Sequence, residues 1–187
     1  TSLLEYLAHA TPTLKERLKG VTLRVVFQEE RTLDYGTGAA LLAAVQEIGQ
    51  DQFLLVFADS FGLPQEKRLE NLAQAFDGHG QAVASIIPIA LEQLGTYGIP
   101  KIEDDNGQMR IREVLEKPKY NPNDELLAMH GAFILKPDIW PYLEEVERDK
   151  NGEMPFTAAL NDYCQQQKVF GLIYPGAFFE TGNRTDI

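Results

Sequence analysis

At 187 residues the chain is long enough for one sizeable core and too short for two full domains. Its 44% hydrophobic and 24% charged content is ordinary for a globular domain, while a formal net charge of -11 argues against nonspecific binding to nucleic acid or an anionic membrane. Cys164 is the sole cysteine, which excludes an intrachain disulfide and a cysteine-based zinc site and fits a reducing cytoplasm; no apolar run has the length of a membrane span, and no signal-peptide pattern occurs.

In chain order, Leu3, Leu4, Leu7, Leu14 and Leu18 recur at near-helical spacing, with Thr11 as a cap and Pro12 at a first helical position. Because the chain opens at Thr1, without methionine and in what reads as helix, a fragment of a longer protein is expected. Gly20 stops the helix, and the β-branched run Val21–Phe27 predicts a strand that leads to Gln28. Tyr35-Gly-Thr-Gly38 then opens an apolar helical segment, Ala39 to Ile48. Phe53-Leu-Leu-Val-Phe-Ala58 follows as a short unbroken apolar run, suited to a fully buried parallel strand that ends on Asp59. These pieces make a βαβ unit, and the carboxyl edge of such a sheet is where ligands bind.

Beyond it, Leu69, Leu72, Ala73 and Phe76 mark a helix, and Ala82–Ile87 a buried strand. Tyr97–Glu103 and Met109–Glu116 read as a strand pair around an Asp104-Asp-Asn-Gly107 turn, and 119–125 as a polar loop. Ala128–Leu135 is a strand, Pro137 starts a helix carrying Trp140, Pro155–Gln167 is a further helix, and strands follow at Val169–Tyr174 and around Phe178-Phe179. The alternation predicts a single α/β domain with a Rossmann-like, mostly parallel central sheet, flanking helices and an antiparallel addition in the second half.

Several residues could carry chemistry. Gly36 and Gly38 either let a ligand approach the backbone or make a tight turn. Asp59, straight after six apolar residues, is either a helix or turn cap or a ligand for a hard cation such as Mg²⁺, which takes one or two carboxylates plus substrate phosphates. In Glu113-Val-Leu-Glu-Lys-Pro118, Glu116 could accept bonds from sugar hydroxyls and Lys117 could reach a phosphate; the other reading is a solvated strand end. Glu180 could complete a two-carboxylate metal site with Asp59 or cap a turn. His9, His79 and His130 are scattered, Cys164 reads as a buried thiol, Trp140 as core, and the acidic run 144–149 as a solvated helix surface.

Taken together and in order, these features resemble the sugar-nucleotide pyrophosphorylase family and, within it, the bacterial UTP–glucose-1-phosphate uridylyltransferases. The anchors are Tyr35-Gly-Thr-Gly-Ala39, Phe53–Asp59, Thr96-Tyr-Gly98, Val114-Leu-Glu-Lys-Pro-Lys119, Gly131–Leu135 with Asp138-Ile-Trp-Pro141, Gly152-Glu153 with Thr157, and Thr181-Gly-Asn183. The resemblance implies nucleotidyl transfer from UTP, or another nucleoside triphosphate, to a hexose 1-phosphate, with Mg²⁺ as cofactor. It also implies a cytoplasmic protein of a family whose members commonly form homo-oligomers. By the same resemblance Gln28 and Gly36 face the nucleoside, and Asp59 and Glu180 bind the metal. Gly98, Glu116 and Gly131 contact the sugar, and Lys117 pairs with its phosphate.

The sequence departs from the family in three places. The glycine-rich loop with arginine and lysine that cradles the triphosphate is absent, Glu180 stands where aspartate is usual, and Ser60-Phe61-Gly62 and Met154-Pro-Phe156 replace other residues. A noncatalytic sugar-nucleotide-binding or regulatory homologue is therefore the alternative expectation. The nucleotide and the hexose are not readable from the sequence.

Overall fold

The computed structural model describes residues 12–28, 35–63, 67–116, 118 and 125–181. Leu3, Leu4, Leu7, His9, Lys117, the loop 119–124 and the anchor at Gly182-Asn183 lie outside them. Pro12 does start a short helix, α1 (Pro12–Arg17), where its missing N–H costs nothing. The apolar segment after Gly36 forms α2 (Thr37–Ala43) and α3 (Val45–Ile48), divided at Ala44. Then come β1 (Phe53–Val56), β2 (Ser60–Gly62), α4 (Arg68–His79) and β3 (Ala82–Pro88).

The second half begins with a hairpin of β4 (Gly98–Asp105) and β5 (Gln108–Glu116). Asn106 and Gly107 turn it with φ of 57° and 83°, the left-handed pair that a tight two-residue hairpin demands. Gly107 N–H also donates to Asp104 Oδ1 at 3.0 Å. The chain continues through β6 (Leu127–Leu135), α5 (Trp140–Glu144), α6 (Phe156–Gln166), β7 (Val169–Ile173) and β8 (Phe178–Glu180).

Six strands form one sheet in the order β1-β6-β3-β7-β5-β4, and β2 and β8 pair as a separate ribbon. The α/β class with a central sheet and an antiparallel second half holds. The balance of strand directions differs: among the described strands only β3 and β7 are parallel neighbours. The cause is β6, which enters between β1 and β3 and runs against both, separating two strands that share a direction. An apolar run carries no mark of its direction.

The strand expected at Val21–Phe27 does not form. Those residues are described, belong to no element and are exposed, Phe27 to 73%. A strand needs a ladder partner and a covered face, and among the described residues this run has neither. The first β of the predicted βαβ unit is thus corrected, and so is the setting of its second. Strand β1 forms, but as an edge strand antiparallel to β6, with Leu54 and Val56 exposed because one face is left uncovered at the edge, where a fully buried parallel strand was expected.

Every residue of β6 is buried, because both faces of the sheet are covered there. On one side Leu72 of α4 packs on Val83, Ala132 and Ile134. On the other, α2, α5 and α6 bring Leu41, Leu143, Phe156 and Leu160 onto Ile86, Ile111, Phe133 and Leu135. Trp140 is core, as expected: its ring stacks on Phe53 at 4.8 Å and its Nε1–H donates to Gly49 O at 3.0 Å. The Cys164 thiol is fully buried and pushed up to about 12 by burial, so it is inert. Leu160 is likewise fully buried, and Leu160→Ala should destabilise the fold by about 3 kcal/mol through lost transfer energy and a cavity. The lowered midpoint of a urea titration reads this, with an unchanged slope.

Candidate functional site

A cavity of about 440 Å³ opens at the edge of the sheet. It is lined by Asp59, Gly98, Glu116, Gly131 and Glu180, with Thr37, Phe57, Asp149, Glu153 and Thr157. Residues far apart in sequence meet there because β1, β4, β5, β6 and the β2–β8 ribbon all present an end or a bend to it. Gln28 and Gly36 do not line it, and Lys117 lies outside the described residues.

Asp59 sits in the turn between β1 and β2. Phe57 N–H donates to Gly131 O at 2.8 Å, and Ser60 N–H closes the turn onto Phe57 O at 3.1 Å. Ser60 Oγ donates to Asp59 Oδ1 at 3.3 Å. No helix starts here, since α4 begins at Arg68, so Asp59 is not a helix cap. Glu180 comes alongside because Ser60 pairs with it across the ribbon, and Thr181 N–H donates to Asp59 O at 2.9 Å. Among the described residues no three His, Cys, Asp or Glu gather to hold a metal. Two carboxylates at one cavity edge still fit a hard cation that completes its shell with substrate phosphates and water.

Glu116 is the register partner of Gly98 in the β4–β5 hairpin. A Cβ added to Gly98 would lie 3.9 Å from Glu116 Oε2 and 3.1 Å from Val114 Cγ1. A side chain there would press on Val114 and Thr157, so glycine lets those two pack against the β4 backbone where it lines the cavity, close to that carboxylate. Gly131 has a different duty. Its φ is +29°, and a Cβ there would stand 2.6 Å from Ser60 Cβ, so glycine is what lets the Asp59 turn seat on β6. It serves the cavity wall and the turn behind it together.

The Gly36 turn is occupied by the chain itself. A Cβ on Gly36 would meet Glu153 Cγ at 2.5 Å and Met154 O at 2.8 Å, at a φ of +105°. Gly38 N–H donates to Met154 O at 2.9 Å, and Met154 N–H to Tyr35 O at 2.8 Å. Tyr35 OH donates to Asn151 O, and Thr37 Oγ1 accepts the Phe156 N–H. Of the two readings of these glycines, the tight approach is to residues 153–154, which fixes Glu153 at the cavity.

Asp149 is exposed, as expected for the acidic run 144–149, but the helix ends at Glu144 and Asp149 lies in a loop at the cavity rim, which it ties. Its Oδ1 accepts the Asn151 and Glu153 N–H groups at 2.8 and 2.9 Å, bonds that hold its carboxyl below the usual range. The spacing Asp149-Lys-Asn-Gly-Glu153 is the signal that betrays such an Asx turn. His130 and Arg68, unremarkable in sequence, are both buried behind the Asp59 turn, and Arg68 Nη2 donates to His130 O at 2.6 Å.

The fold and cavity together define an α/β protein with an acidic cleft at the edge of its central sheet. The chain belongs to the nucleotidyl transferase family, whose sequence profile matches residues 4–186. It is 23% identical over 175 residues to UTP–glucose-1-phosphate uridylyltransferase YngB of Bacillus subtilis, covering 93% of this chain and 59% of that protein. A Pseudomonas aeruginosa UTP–glucose-1-phosphate uridylyltransferase is 29% identical over 153 residues, 79% of this chain and 54% of its own length. The chain thus spans less than two thirds of these relatives. A UDP-glucose pyrophosphorylase solved with UDP-glucose superposes with a TM-score of 0.83 at 24% identity, over 98% of this chain and 72% of that one. That likeness shows a shared fold.

Burial, reinforced by Arg68 and only partly opposed by Asp59, holds the His130 imidazole down to about 4 from 6.5. The unfolded chain takes up this proton near the ordinary value and the folded chain only near the lower one. Between them the unfolded state binds more protons, so stability falls as pH falls. His130→Leu removes this contribution: the loss of stability from pH 6.5 to 4 should shrink by about 3 kcal/mol, measured by urea unfolding across that window.

Proposed function

We propose that this chain is the part of a UTP–glucose-1-phosphate uridylyltransferase that holds the sugar phosphate and the metal, in an enzyme that makes UDP-glucose and pyrophosphate. The observation that carries this reading is the meeting of Asp59, Glu180, Glu116 and Gly98 in one cavity. Membership of the nucleotidyl transferase family and the named activities of its relatives support it.

In the proposed reaction an oxygen of glucose 1-phosphate attacks the α-phosphorus of UTP in line and pyrophosphate leaves. Such chemistry asks the protein for alignment and charge compensation rather than for a nucleophile. Asp59 and Glu180 would hold Mg²⁺, which when bound screens the repulsion between the two phosphates. Glu116 accepts hydrogen bonds from hexose hydroxyls, while Gly98 lets the ring lie against β4. Lys117, next in sequence to Glu116, is assigned the sugar phosphate, Gln28 the nucleoside side, and Gly131 the wall of the sugar site, while Gly36 serves the Glu153 loop. Thr37 and Thr157 offer further hydroxyl partners at the cavity. The reaction suits the cytoplasm, where the unpaired thiol of Cys164 is stable, and no described helix is long and apolar enough to cross a membrane.

A noncatalytic sugar-nucleotide binder is the second reading. It is favoured by the cavity's five carboxylates, Asp59, Glu116, Asp149, Glu153 and Glu180, with no lysine or arginine among the described lining residues to meet a triphosphate. The two readings separate in an assay of pyrophosphate release by the intact protein with UTP, glucose 1-phosphate and Mg²⁺. Turnover supports the transferase. UDP-glucose binding by calorimetry without release from any nucleotide–sugar pair supports the binder. If turnover is seen, Asp59→Asn should lower kcat by about 100-fold or more, the loss of one positioned charge in the transition state. Glu116→Gln should raise the KM for glucose 1-phosphate by about tenfold, with a smaller change in kcat.

A further inference from the structure

Arg68 is a buried cation to which the proposed reaction gives no task. It opens α4, behind the sheet edge from the cavity, and is 8% exposed. Among the described residues no carboxylate forms an ion pair with it. Its Nη2 donates to His130 O at 2.6 Å, its guanidinium lies 5.9 Å from the Tyr174 ring centroid, and its Nε is sealed without a partner. Burying an uncompensated guanidinium costs several kcal/mol, and a methionine of similar reach would pack there at less cost. The one strong bond it makes is therefore the place to seek its use.

That bond is to the residue before Gly131. Gly131 O accepts Phe57 N–H, and its bare Cα is what Ser60 packs against. Phe57 and Ser60 bracket the turn that carries Asp59, and Asp59 O accepts the N–H of Thr181, next to Glu180. A short series of backbone bonds thus runs from the guanidinium to both carboxylates of the candidate metal site. A charged donor makes a stronger bond to a carbonyl than a neutral one, and this one is among the shortest side-chain bonds described.

We propose that Arg68 is a positioning residue: by clamping the β6 backbone at His130–Gly131 it fixes the Phe57–Ser60 turn, and so sets Asp59 and Glu180 in place to receive a divalent cation. The cation's role rests on the function proposed above; the clamp itself does not.

The test uses the full chain and two readouts on wild type, Arg68→Met and Arg68→Lys. Amide hydrogen exchange is followed at Phe57, Ser60 and Thr181, with β7 as internal reference, and Mn²⁺ affinity is measured by electron paramagnetic resonance. In Arg68→Met the three amides should exchange about tenfold faster or more relative to β7, and Mn²⁺ should bind about fivefold more weakly, as expected for a local opening. Arg68→Lys, which keeps a charged donor but loses the planar fork, should recover most of both. Unchanged exchange at the three amides overturns the proposal. So does acceleration equal to that of β7, which marks a merely structural residue. If Arg68→Met does not fold, Arg68→Gln takes its place: acceleration confined to the three amides supports the clamp, and uniform or absent acceleration overturns it. Local loosening in a protein whose wild type binds no Mn²⁺ would keep the clamp and remove the metal reading instead.

Discussion

The contact between Gly131 and Ser60 is the constraint on which the candidate site depends. Strand β6 is buried on both faces and has little freedom to move, so whatever packs against it inherits its position. The turn that carries Asp59 packs against it at Gly131, where a Cβ would strike Ser60. Phe57 N–H and Gly131 O complete the seat. From there the ribbon pairing of Ser60 with Glu180 brings in a carboxylate from the far end of the chain. The turn is thereby fastened to a strand buried on both faces.

Another part of the cavity wall is fastened in a different way. The loop from Asp149 to Met154 is tied within itself by the Asp149 carboxylate and zipped onto Tyr35–Gly38 by backbone bonds. Two glycines allow this, one by its positive φ and both by lacking a Cβ where Met154 comes close. The cavity is thus framed by parts with no covalent proximity, and its negative charge is a property of the assembled fold. Five carboxylates line that one space and give it its acidic character.

Much of this was legible in the sequence, for definite reasons. Apolar runs that end on a charged residue mark strands whose ends reach the cavity, and Phe53–Asp59 and Val114–Glu116 do so here, although β1 is a half-exposed edge strand and not a buried one. Asn106-Gly107 dictates a hairpin because two consecutive positive φ values suit few other pairs. Family resemblance then joined Asp59, Gly98, Glu116, Gly131 and Glu180, which do share one cavity. Other features were hidden. Val21–Phe27 has every local mark of a strand, yet a strand is a property of its neighbours, and none pairs with it among the described residues. The direction of β6 and its place between β1 and β3 leave no trace in an apolar pattern. The tie that Asp149 makes in its loop was carried only by the spacing to Asn151 and Glu153, and nothing beside Arg68 in the sequence announces its burial.

The central claim is that Asp59 and Glu180 act as one cation site, and a double-substitution cycle on Mn²⁺ affinity tests it most directly. Dissociation constants for wild type, Asp59→Asn, Glu180→Gln and the double variant, taken by isothermal calorimetry, give the coupling between the two positions. Shared coordination predicts that each single change weakens binding by about tenfold or more and that the double change costs clearly less than the two together. Full additivity, or Mn²⁺ binding indifferent to either carboxylate, would contradict the account.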